Sequence, residues 1–241
     1  MGDGPPENRP AAQTEYGEAW VYESIVGALP GVHLTDGQAI AIQLGLFEVG
    51  VVAFAWVYDL WNAVLPGTVA VAVAAVGSVV MLRMGRTTRR LDLPDAYGRL
   101  LFGSSIEVVL GVLAFVALVT HLFVFEPRRA ATPLVESMFG PEPPIIVVYL
   151  MLLVLWDLCY RIGTSWWTAV VAAWRSRTYA FDEETARALR RVDAWNVLFG
   201  LSQIAVLPFV ADRPVLLTAV GGHVVAVSVV STAAAASLRV R

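Results

Sequence analysis

The chain has 241 residues, 57% of them apolar and only 15% charged, with a mean hydropathy of +0.66 and a net charge of −3. A water-soluble domain of this size needs about a quarter of its residues charged to cover its surface, so an ordinary soluble globular protein is excluded. All 17 basic residues are arginine, and the single cysteine, Cys159, cannot form an intramolecular disulfide and lies in an apolar run as a core residue.

The first 37 residues hold one base, Arg9, against six acids, with no short apolar stretch behind a basic start. A cleaved signal peptide is therefore not expected, and the first span directs insertion. Within this segment Tyr16, Trp20, Ile25 and Leu29 share one helix face. That predicts an amphipathic helix over about 15–29, lying along the inner membrane interface or packed on the cytoplasmic loops.

Six segments are long and apolar enough to cross a ~30 Å hydrocarbon core: roughly 39–65, 68–84, 100–125, 145–167, 194–211 and 215–237. The second reads Val-Ala-Val-Ala, a strand-like alternation, but a lone strand cannot satisfy its backbone in lipid, so helix is predicted. Pro66-Gly67 is read as closing the first hairpin, Pro143-Pro144 as starting the fourth span, and Pro208 and Pro214 as bracketing the last turn. Thr132 before Pro133 predicts a capped short helix in the 126–144 connection. The 145–174 stretch reads as one helix longer than the bilayer is thick, with Trp166 and Trp167 in an aromatic belt. Asp182 is placed to cap a helix leading into span five, with Glu183 and Arg187 as an i,i+4 pair on a solvated face.

Arginine counting sets the orientation. With the amino terminus inside, thirteen arginines fall on the inner side, only Arg128, Arg129 and Arg213 on the outer, and Arg161 within a span. Both termini are therefore expected in the cytoplasm. The fold class is all-α, a polytopic bundle of six transmembrane helices over 38–238, in the cell membrane.

The informative residues are those that a bilayer should reject, since a charge at mid-helix costs ~2.5–3.5 kcal/mol even on a lenient scale. Glu48, Glu107, Asp157 and Arg161 come from three spans, and counting from the span ends puts all four in the inner half. They are expected to form one ionic cluster, with Asp157 and Arg161 bonding directly at i and i+4. Three carboxylates against one guanidinium leave a charge of −2, so at least one carboxyl must take up a proton or a cation. Gly103, Glu107 and Gly111 recur every four residues and admit a close neighbour. Asp59, His121 and His223 form a candidate outer polar path, although Asp59 also fits an interfacial site beside Trp56, Tyr58 and Trp61.

No zinc-binding spacing, nucleophile elbow, P-loop or dinucleotide fingerprint occurs, so neither an enzyme site nor a metal or cofactor is expected, and topology accounts for the arginines without nucleic acid. Two readings stay open: proton- or cation-linked transport or sensing through the cluster, or a structural or accessory membrane subunit whose ion pairs only fix helix packing. The stretches Glu18–Gly27, Leu101–Val109 and Leu155–Gly163 resemble a group of uncharacterised haloarchaeal membrane proteins. That resemblance covers most of the chain and implies a salt-adapted host, in keeping with the lysine-free composition, but it transfers no activity.

Overall fold

A computed structural model describes residues 35–241, so the expected 15–29 helix lies outside the described residues. Helix α1 (Asp36–Tyr58) opens on a capping box in which Thr35 accepts from the Gln38 amide while the Gln38 side chain accepts from Thr35. Two of the orphan amides at the helix start are thereby satisfied. It ends at Asp59, which adopts the left-handed conformation, φ 58° and ψ 41°, and donates its amide to the Ala55 carbonyl.

The first reversal therefore falls at Asp59-Leu60, not at Pro66-Gly67. Helix α2 (Trp61–Arg89) has already started by then, and Pro66 sits near its beginning. A proline there removes the bond to the Asn62 carbonyl and crowds it, a local cost that the helix absorbs without ending. Gly67 serves packing instead: a Cβ on it would stand 3.2 Å from Val51 of α1. The alternating Val-Ala stretch is helical throughout, as the lipid argument requires.

The third segment divides. Helix α3 (Asp95–Phe102) is short, and the chain breaks at Ser105, φ 54°, before α4 (Ile106–Thr120) begins. Gly103 thus lies off the α4 face that carries Glu107 and Gly111. Beyond α4 the chain continues as a wider π turn over His121–Phe125 and a 3-10 turn over Glu126–Arg128. The short helix in the connection is α5 (Leu134–Phe139), with Pro133 rather than Thr132 at its cap position.

Helix α6 (Ile145–Thr178) runs unbroken for 34 residues from Pro144. Helix α7 (Glu183–Ser202) is capped by Asp182, which accepts from the Thr185 amide at 2.9 Å. Glu183 and Arg187 form the expected exposed i,i+4 pair, while Ala186, Leu189, Val192 and Asp193 are buried against the bundle. The chain then tightens into a 3-10 segment over Gln203–Val210 that contains Pro208, and α8 (Pro214–Ser237) begins at Pro214. Two-residue strands β1 (Ala180–Phe181) and β2 (Arg239–Val240) pair in parallel and tie the carboxyl end to the α6–α7 turn.

Two buried apolar clusters organise the bundle. One, with Met84, Tyr97, Leu101, Val171, Val192 and Phe199, lies toward the end that carries most arginines. The other, with Ala63, Leu122, Val135, Phe139, Val210 and Leu216, lies at the opposite end. The long helices show the reverse of a soluble fold on their outer faces, where Trp56, Leu46, Val49, Leu113, Val225 and Val229 are exposed. Large apolar side chains in that number suit a lipid surround.

Candidate functional site

Arg161 and Asp157 lie one turn apart on α6 and form a two-pronged pair, Nε to Oδ2 at 3.1 Å and Nη2 to Oδ1 at 2.7 Å. The guanidinium is fully buried and the carboxylate nearly so. Gly77 of α2 makes room for it: a Cβ there would stand 2.5 Å from Arg161 Cδ and 2.8 Å from the Phe199 ring. Asp157 borders a narrow crevice that Gln43 of α1 and Ser78 of α2 also line.

Glu107 is fully buried, and neither carboxyl oxygen accepts a hydrogen bond from another residue. The break at Ser105 places it in the first turn of α4. There the positive end of the helix dipole favours negative charge, so its setting differs from a mid-span position. Its helix docks closely on α6: a Cβ on Gly163 would meet the Glu107 carbonyl oxygen at 2.6 Å and the Gly111 nitrogen at 2.5 Å, and one on Gly111 would meet Tyr160 Cα at 2.9 Å. Glu107 is thus level with Arg161. Gly163, however, is two residues from Arg161, about 200° around the helix, so α4 docks on the face turned away from the Asp157–Arg161 pair.

Glu48 is half-buried and accepts from the Thr68 hydroxyl at 2.7 Å. A Cβ on Gly50, two residues on, would meet Leu150 of α6, which precedes Asp157 by seven residues. Glu48 therefore stands roughly 7–10 Å along the bundle from Asp157 at helical rise. Counting residues from each inner span end misses this offset because it fixes a depth against an assumed boundary, not against the neighbouring helix. Asp59 is exposed in the α1–α2 turn. His121 precedes Leu122 of the far apolar cluster, whereas His223 is buried against Trp166, ring centroids 5.9 Å apart, and neither of its nitrogens bonds to another group. Among the expected site residues, then, the structure joins Asp157 to Arg161 and gives Glu48 to Thr68.

Two polar clasps were not legible as such. Arg175, at the foot of α6, is fully buried and donates to the Tyr97 hydroxyl at 2.9 Å, to Asp193 at 2.5 Å and to the Leu189 carbonyl at 3.3 Å. Asn196 bridges Ser165 and Ser231, accepting from the Ser165 hydroxyl at 2.8 Å and donating to Ser231 at 3.0 Å. The only sequence signal was a helix too long for the bilayer, whose projecting end had to be covered. At the other end Arg213 donates to Glu126 at 2.7 Å and to the Thr132 carbonyl at 2.8 Å.

No group of three or more His, Cys, Asp or Glu side chains able to hold a metal occurs among the described residues. Six helical segments, each long and apolar enough to cross a membrane, with charges buried between them, define the class: an all-helical bundle compatible with a multi-pass membrane protein. Within that class the chain belongs to a family of unknown function, DUF7530, whose model matches residues 15–234. No curated protein and no solved structure matches the chain.

Proposed function

We propose that the protein is a multi-pass protein of the cell membrane whose buried ionic groups serve proton- or cation-linked transport or sensing, with Glu107 as the binding carboxyl. One observation carries this reading: Glu107 is fully excluded from solvent, yet accepts no hydrogen bond from another residue. A carboxylate so placed must be neutralised by a proton or a small cation, while the positive end of the α4 dipole keeps the charged form within reach. A group balanced in this way exchanges its partner. The arginine asymmetry, thirteen against three, supports both chain ends lying in the cytoplasm. The lysine-free composition and acidic amino-terminal segment support a salt-adapted, haloarchaeal host.

The test uses purified protein in vesicles under an imposed pH, sodium or potassium gradient, beside infrared difference spectra between acidic and neutral pH. Wild type is expected to dissipate one of the gradients and to show a carboxyl band that Glu107→Gln removes at equal folded yield. An unchanged spectrum and unchanged flux in Glu107→Gln would overturn the assignment.

A second reading is favoured by the two-pronged geometry of Asp157 with Arg161. Such a pair fixes helix register without moving anything, which suits a structural or accessory membrane subunit. It predicts no flux from wild type and a loss of folded protein when Arg161 is neutralised.

A further inference from the structure

At the end of the bundle away from most of the arginines, α1, α2, α5, α6 and the 203–210 segment surround a cavity of about 180 Å³. Phe54, Leu60, Val135, Phe139, Met151 and Phe209 are among its walls, and no polar side chain lines it. The space exists because α1 and α2 present Ala55, Ala63, Gly67 and Ala70 to it, so the side chains there fall short of one another. Water has no partner in such a chamber; an apolar cavity of about 150 Å³ stays dry and takes up apolar guests.

Its surroundings select the guest. Helix α5 lies over one end with Val135 and Phe139 turned in and buried, and Arg213 secures that connection through Glu126 and the Thr132 carbonyl. Val51, Pro66, Gly67 and Phe209 of the lining are only half-buried, so the cavity communicates with the sides of the helices. On helices apolar enough to cross a membrane, what adjoins those sides is hydrocarbon. We propose that this cavity is a binding site for one hydrocarbon chain of a membrane lipid, which enters laterally and ends beneath α5. The inference shares the membrane assignment but is independent of any role for Glu107.

A phospholipid with a diazirine near the end of its acyl tail, incorporated into vesicles with the full-length protein, tests this. Photolysis is expected to label buried Val135, Phe139 and Ala63 as well as exposed Leu113 and Val116. Ala63→Phe and Ala70→Leu, which fill the chamber from two sides, are expected to cut the buried labels at least several-fold and leave the exposed ones unchanged. Thermal unfolding of each variant identifies the folded ones. Absence of label at the buried positions in wild type overturns the proposal, as does equal buried labelling in a folded, filled variant. Buried labelling by a free diazirine hydrocarbon but not by the lipid also overturns it, since the guest is then a small apolar molecule.

Discussion

Arg175 of α6 and Asp193 of α7 meet at 2.5 Å with both side chains shielded from solvent, and the guanidinium also holds the Tyr97 hydroxyl of α3. This contact joins three elements where α6 overruns the length that a bilayer requires. Removing one member of such a pair leaves the other buried and unpaired, at about 3–5 kcal/mol. Arg175→Leu and Asp193→Leu are each expected to lower unfolding free energy by about that amount, and the double variant by much less than the sum. Reversible unfolding in mixed micelles measures the coupling; strict additivity would show that the contact is energetically idle.

Arg161 and Glu107 are level on the bundle but differ in their bonding, and the difference has a measurable sign. Arg161→Leu strands the Asp157 carboxylate and is expected to cost about 3–5 kcal/mol, with most of the loss recovered in Asp157→Leu/Arg161→Leu. Glu107→Gln breaks no bond to another residue, and its change in stability should stay within about 1 kcal/mol. Equal losses from the two single substitutions would contradict this assignment of partners.

Gly163 and Gly221 are both glycines in long helices with opposite surroundings. A Cβ on Gly163 runs into backbone atoms of α4 that have no freedom to yield, whereas one on Gly221 meets nothing within 4 Å. Gly163→Ala is expected to destabilise by about 1–3 kcal/mol or more. Gly221→Ala should be neutral or slightly stabilising, because alanine favours helix over glycine. Melting temperatures of the two variants provide the comparison.

Asp182 caps α7, and its hydrogen bond from Thr185 holds the carboxyl below the ordinary aspartate value of 3.8. A carboxyl lowered on folding contributes stability above its unfolded value and loses it as pH falls through its folded one. Asp182→Ala should therefore melt lower than wild type at neutral pH, and the two should converge in strong acid. A gap that persists at low pH would assign the effect to something other than this carboxylate.

Much of the bundle was legible because its signals are local. The Asp157–Arg161 pair follows from i,i+4 spacing on one helix, Asp182 from cap chemistry, and the helical Val-Ala stretch from the exclusion of lone strands in lipid. Pro66-Gly67 misled because a long helix carries one interior proline without ending, while the reversal used a left-handed aspartate that composition does not flag. Ser105, also left-handed, separated Gly103 from Glu107 for the same reason.

Hydrophobic length and periodicity, read along the chain alone, determined that six helices are long and apolar enough to span a membrane, and which charges lie among them. Tertiary structure decided which of those charges meet. Gly77, Gly111 and Gly163 set how near the helices approach and which faces they present, and a side chain's depth says nothing of its azimuth. Glu48 thus went to Thr68, Glu107 lay across α6 from Arg161, and Arg175, which counted only as one more topological charge, became a buried centre holding three elements together.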